Sequence, residues 1–156
     1  MYLSLAPFQL WRGFRNRNLR RHRRIGRVAL MAGLTSGVFG VLFGFFQSFG
    51  GTLQASATVV FGLWFLTALL SAYRAVRRRD IDTHRRWQIR AFAVGLAVGT
   101  IRIWIGLFEG FGLLETRDAF GVAFWISFLL HAAIAELWLY WRPSQTGAVR
   151  RAGSAS

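Results

Sequence analysis

Four apolar stretches, each long enough to cross a bilayer, alternate with arginine-rich segments along a chain of 156 residues. They cover about 28–49, 53–76, 88–108 and 119–141, and a hydrocarbon layer of ~30 Å takes about 20 helical residues to cross. The first carries no charge and the second none before Arg74. Four helices apolar on every face cannot all hide inside a globule of this size. The predicted fold is therefore an all-α integral membrane protein, a bundle of four transmembrane helices plus a partial N-terminal helix.

Charge is segregated in the same way. The chain is 54% hydrophobic yet has a formal charge of +14, and every cation is an arginine. Residues 12–27 hold eight arginines and no acid, 74–90 hold seven against Asp80 and Asp82, and the tail adds Arg142, Arg150 and Arg151. Between them lie the uncharged 50–52 turn and the segment 109–118, where Glu109, Glu115 and Asp118 outnumber Arg117. Arginine accumulates in short cytoplasmic loops. Loops 12–27 and 77–87 and the C-terminus are therefore expected on the cytoplasmic side of a bacterial inner membrane. Arginine beside spans is explained by orientation and by anionic headgroups, so specific nucleic-acid binding is not expected.

Residues 1–11 are apolar but too short to span and lack the pattern of a signal peptide. They read as the inner half of a truncated fifth span, with an interfacial segment anchored by Phe8 and Trp11 as the alternative. Residues 12–143 form the single four-span domain, and 144–156 read as a disordered basic tail.

Glycines recur at helical spacing in two spans. Gly33, Gly37, Gly40 and Gly44 in the first, and Gly95, Gly99 and Gly106 in the third, predict faces where a second helix approaches closely. Arg102 falls in the same stripe as the latter three and is expected to face the bundle.

Ionisable residues inside spans are expensive and mark functional candidates. Arg102, His131 and Glu136 qualify. At ~1.5 Å per residue, Arg102 lies near the outer end of its span and Glu136 near the inner end of its own, so a direct bridge is too long. Glu109, Glu115 or Asp118 are the expected partners of Arg102, and Arg90, Arg74 or His84 those of Glu136. His131 reads as a neutral imidazole bonded to neighbouring backbone or to Ser127. No cysteine is present, which removes disulfides and thiolate chemistry, and the scattered histidines and acids assemble no hydrolase site.

His22 and His84 each stand in a basic segment just before a span. Neutral imidazoles there are candidate axial ligands for haem b or ligands for a metal, with arginines around the propionates. No HxxxH or HExxH spacing supports either. Headgroup contact is the simpler reading.

The runs His22-Arg23-x-x-Gly26-Arg27 and His84-Arg85-x-Trp87-x-x-Arg90, then Thr100-Ile101-Arg102 and finally Ala135-Glu136, resemble in order and spacing the bacterial membrane-protein family catalogued as domain of unknown function 2306. The resemblance runs from Ala6-Pro7-Phe8-Gln9 to Trp141. Its members usually carry a further span ahead of the Pro-x-Gln segment, and Gln88 stands where a methionine is expected. It implies an architecture and a residue set, His22, Arg27, His84, Trp87, Arg90, Arg102 and Glu136, with no reaction attached.

The function expected is that of a small multi-pass inner-membrane protein of unassigned biochemical activity that binds lipid or a membrane partner. A b-type haem electron carrier is the first alternative and a small transporter or proton relay the second. No span contains proline, and no inverted repeat is evident.

Overall fold

A computed structural model describes the backbone of residues 19–142 and the side chains of 24–142. The partial helix expected over 1–11 and the tail over 144–156 lie outside the described residues. Four helices follow one another: α1 (Leu19–Phe46), α2 (Gly51–Arg77), α3 (Ile81–Gly110) and α4 (Thr116–Trp141). No strand occurs among the described residues. All four are long and apolar enough to cross a membrane. Two begin earlier than hydropathy predicts, because the basic segments ahead of the first and third spans are themselves helical. Arginine is a good helix former, so the polar flank does not end the coil.

Short turns make neighbouring helices antiparallel. The start of α1, the end of α2, the start of α3 and the end of α4 therefore share one end of the molecule, the basic end. Helices α2, α3 and α4 pack mutually, while α1 packs principally on α2. Their seam is built from alanine: Ala57, Ala68 and Ala72 on α2, Ala91 and Ala97 on α3, and Ala119 and Ala123 on α4 are at most 1% exposed. Small side chains let helix axes close in where lipid supplies no hydrophobic drive between helices. Phe61 of α2 fills the centre, stacked on Phe128 at 4.8 Å between centroids and edge-on to Trp125 at 5.6 Å.

Glycine serves closeness at particular points. A Cβ at Gly37 would meet Leu66 Cδ2 at 2.7 Å, and one at Gly44 would overlap Thr58, so α1 lies on α2 through these two positions. Gly33 is also buried and Gly95 half-buried. At Gly40, Gly99 and Gly106 an added Cβ would meet nothing within 4 Å, so the close approach expected of them does not occur among the described residues. The seam of α3 runs instead through Ala91, Val94, Ala97 and Ile101, and Gly106, nine residues past Ala97, points about 180° away. At the far end the α1–α2 turn rests on α4: a Cβ at Gly50 would stand 2.9 Å from the backbone nitrogen of Gly121.

The outward surface is apolar. Met31, Phe39, Phe43, Ile103, Ile134 and Leu137 are all more than half exposed. Such a continuous apolar surface belongs against acyl chains rather than water.

Candidate functional site at the basic end

The signature His84–Trp87–Arg90 begins one turn into α3, where Asp80 opens the helix by accepting the Thr83 N–H at 3.0 Å. Spacing of three residues turns each side chain about 60° from the last. The three consequently fan across one flank of α3 and reach from α2 to α4. His84 donates its Nδ1–H to the carbonyl of Ala72 on α2 at 2.7 Å. A carbonyl only accepts, so this bond fixes the tautomer and leaves Nε2 as the acceptor nitrogen. Trp87 lies beneath Arg90, whose guanidinium carbon is 4.8 Å from the indole centroid. Arg90 in turn holds Glu136 of α4 in a two-pronged pair, Nε to Oε1 at 2.5 Å and Nη2 to Oε2 at 2.9 Å.

Trp87, Arg90 and Glu136 thus form one connected set and His84 ties the same helix to α2, and of the others predicted with them neither Arg27 nor Arg102 joins it. Arg27 is exposed on α1. His22 lies in the first turn of α1, and its side chain is outside the described residues. Arg102 is exposed on the lipid-facing side of α3, contrary to the expectation that it faces the bundle, and it makes no ion pair or hydrogen bond among the described residues. The reason is the alanine seam: Arg102 lies about 140° around the helix from Ala97. His131 bonds Ser127 O through Nδ1 at 2.9 Å, a contact within its own helix.

A second polar group, not anticipated as a unit, joins α3 to α4 at mid-span. Ser127 is fully buried and donates to Ala97 O at 2.6 Å, while its Oγ lies 2.6 Å from Thr100 Oγ1. Pairs of isolated hydroxyls give little sequence signal, since serine and threonine in spans also bond their own helix, as Thr58 does to Gln54 O.

Arginines crowd the basic end. Of those whose side chains are described, all but Arg102 and Arg117 stand there: Arg24 and Arg27 on α1, Arg74 and Arg77 on α2, Arg78 and Arg79 in the turn, Arg85, Arg86 and Arg90 on α3, and Arg142 after α4. Glu109, Glu115 and Asp118 stand at the opposite end. Among the described residues no group of three or more His, Cys, Asp or Glu could hold a metal ion. His84 is the described histidine at this end whose Nε2 could serve a cofactor.

These features define a multi-pass integral membrane protein with an alanine-lined helical core and one strongly basic end. The chain belongs to the family described as "Predicted membrane protein (DUF2306)", which matches residues 1–139. No curated protein and no solved structure matches it.

Proposed function

We propose that this is a bacterial inner-membrane protein whose basic end lies at the cytoplasmic face and binds anionic lipid headgroups. The gathering of nearly all described arginines at one end of an antiparallel bundle carries the reading. An arginine near an anionic membrane surface contributes about 1 kcal/mol of attraction, and its planar fork matches phosphate oxygens. The His84–Trp87–Arg90–Glu136 set supports the same reading by locking α2, α3 and α4 in register beneath that surface. The test is a titration of the detergent-solubilised protein with phosphatidylglycerol and phosphatidylcholine, followed by native mass spectrometry. Tighter, salt-sensitive binding of phosphatidylglycerol is expected; equal affinities would sink the reading.

One contact favours a second reading, a b-type haem electron carrier. Metal-ligating histidines commonly donate their other ring N–H to a carbonyl, as His84 does to Ala72. His84 and His22 are the residues that would hold the haem iron, and the arginines of this end would pair the propionates. Haem would supply one-electron transfer. An absorption spectrum of protein expressed with haem supply decides it: a stoichiometric Soret band lost in His84→Ala supports the reading, and absence of the band rejects it.

A further inference from the structure

The turn between α2 and α3 ends in a form usually reserved for glycine. The Asp80 N–H bonds Ala75 O at 3.0 Å and the Arg79 N–H bonds Val76 O at 3.1 Å, a helix ending that needs a left-handed residue between. That residue is Arg79, with φ 62°. The end of α3 uses the same pair of bonds, from Leu113 to Phe108 O and from Gly112 to Glu109 O, and there the left-handed residue is Gly112. The molecule thus shows both solutions, and at the basic end it keeps three consecutive arginines, 77–79, through the turn.

Beside this turn lies an open recess of about 230 Å³, lined on the α2 side by Ser71, Arg74 and Arg78 and on the α3 side by Asp80, Thr83 and Trp87. Neither Arg74 nor Arg78 has an ion-pair partner among the described residues. Asp80 shares the recess, but its carboxylate is engaged by the Thr83 N–H and side chain. Two guanidinium groups, the Ser71 hydroxyl and an indole therefore converge with a net formal charge of +1, two cations less one carboxylate, and Arg77 and Arg79 flank them. Arg90 stacks over the same Trp87 ring, 4.8 Å from its centroid. The volume is below the ~300–1,000 Å³ of pockets that enclose a whole drug-sized ligand, which suits a headgroup whose acyl chains stay outside.

We infer that this recess is a binding site for a phosphate group, supplied by an anionic phospholipid, with Arg74 and Arg78 as its paired guanidinium ligands and Ser71 as a hydroxyl donor. Guanidinium forks bond phosphate oxygens two at a time and give charge-assisted hydrogen bonds. The inference rests on the headgroup reading above but narrows it from a diffuse basic surface to one place.

The test compares two charge-matched double variants in the phosphatidylglycerol titration. Arg74→Gln with Arg78→Gln is expected to weaken binding roughly tenfold to a hundredfold, the loss of one or two charge-assisted bonds. Arg77→Gln with Arg85→Gln, outside the recess, is expected to weaken it only a few-fold. Ser71→Leu, which fills the recess and leaves every charge in place, guards against a folding artefact and is expected to match the first pair. Equal losses in the two doubles, with Ser71→Leu unchanged, overturn the site and leave the headgroup reading standing. A wild-type protein indifferent to lipid charge overturns both. Inorganic phosphate as competitor separates the sources: displacement of the lipid assigns recognition to the phosphate alone, and retention assigns it to the phospholipid.

Discussion

Arg90 of α3 and Glu136 of α4 meet through two parallel hydrogen bonds, the single ion pair among the described residues. Their side chains are 20% and 44% exposed, so the pair sits between the nearly worthless surface bridge and the fully buried one. It stands half-way across the end where α2, α3 and α4 converge, with Trp87 on one side and the half-buried Arg86 on the other.

Breaking this pair should cost about 1–3 kcal/mol per single substitution, since each leaves its partner uncompensated in a low-dielectric setting. Arg90→Gln, Glu136→Gln and the double variant form a cycle, read by thermal unfolding in detergent. A coupling above ~1 kcal/mol is expected; strictly additive losses would show the contact to be energetically idle. Arg90→Lys should fall between the wild type and Arg90→Gln, because an ammonium keeps the charge but cannot reproduce the two-pronged geometry.

Asp80 gives the turn its pH dependence. The Thr83 N–H it accepts holds its carboxyl below the usual aspartate range. A carboxyl depressed in the folded state contributes stability that is complete above its unfolded pKa and is lost as pH falls through the lower, folded value. Thermal stability should therefore decline below about pH 4 in the wild type. Asp80→Asn, which keeps a capping oxygen but cannot titrate, should flatten that part of the profile; an unchanged profile would assign the acid sensitivity elsewhere.

At mid-span, Ser127 separates bonding from packing. Ser127→Ala should cost roughly 0.5–1 kcal/mol, because Thr100 still bonds Ala97 O at 3.0 Å. Ser127→Leu should cost more, about 1–3 kcal/mol, because the site is fully buried among alanines. If leucine is tolerated as well as alanine, α3 and α4 are not in close contact at this level.

The glycines of α1 offer an internal control. Gly44→Val should loosen α1 from α2, lowering the melting temperature by an amount equivalent to about 1–3 kcal/mol. Gly40→Val, where a side chain would meet nothing within 4 Å, should leave it nearly unchanged. Equal effects would mean that helix propensity, not packing, sets the response.

How much of the molecule is legible from sequence follows from the physics of each feature. Spans and basic ends are compositional, and all four apolar stretches fall on helices, two of which extend back into the basic segments ahead of them. Depth alone limits the partners of Glu136 to Arg90, Arg74 or His84, and the structure selects Arg90. Facing is not legible in α3. Inside lipid an outward residue is as apolar as an inward one, so Gly99, Arg102 and Gly106 give the same signal whether the seam runs through them or through Ala91, Ala97 and Ile101. The recess is hidden for a different reason. It exists only because a three-residue turn brings Ser71 and Arg74 opposite Thr83 and Trp87, and the bond from His84 to Ala72 arises from the same juxtaposition.

Orientation is the most direct test of the central claim that the basic end lies in the cytoplasm. The chain has no cysteine, so Arg79→Cys in the α2–α3 turn and Leu113→Cys in the α3–α4 turn each give a single label site. Intact cells treated with a membrane-impermeant maleimide should label Leu113→Cys at once and Arg79→Cys only after permeabilisation. Immediate labelling of Arg79→Cys with protection of Leu113→Cys would place the arginines outside and contradict the account.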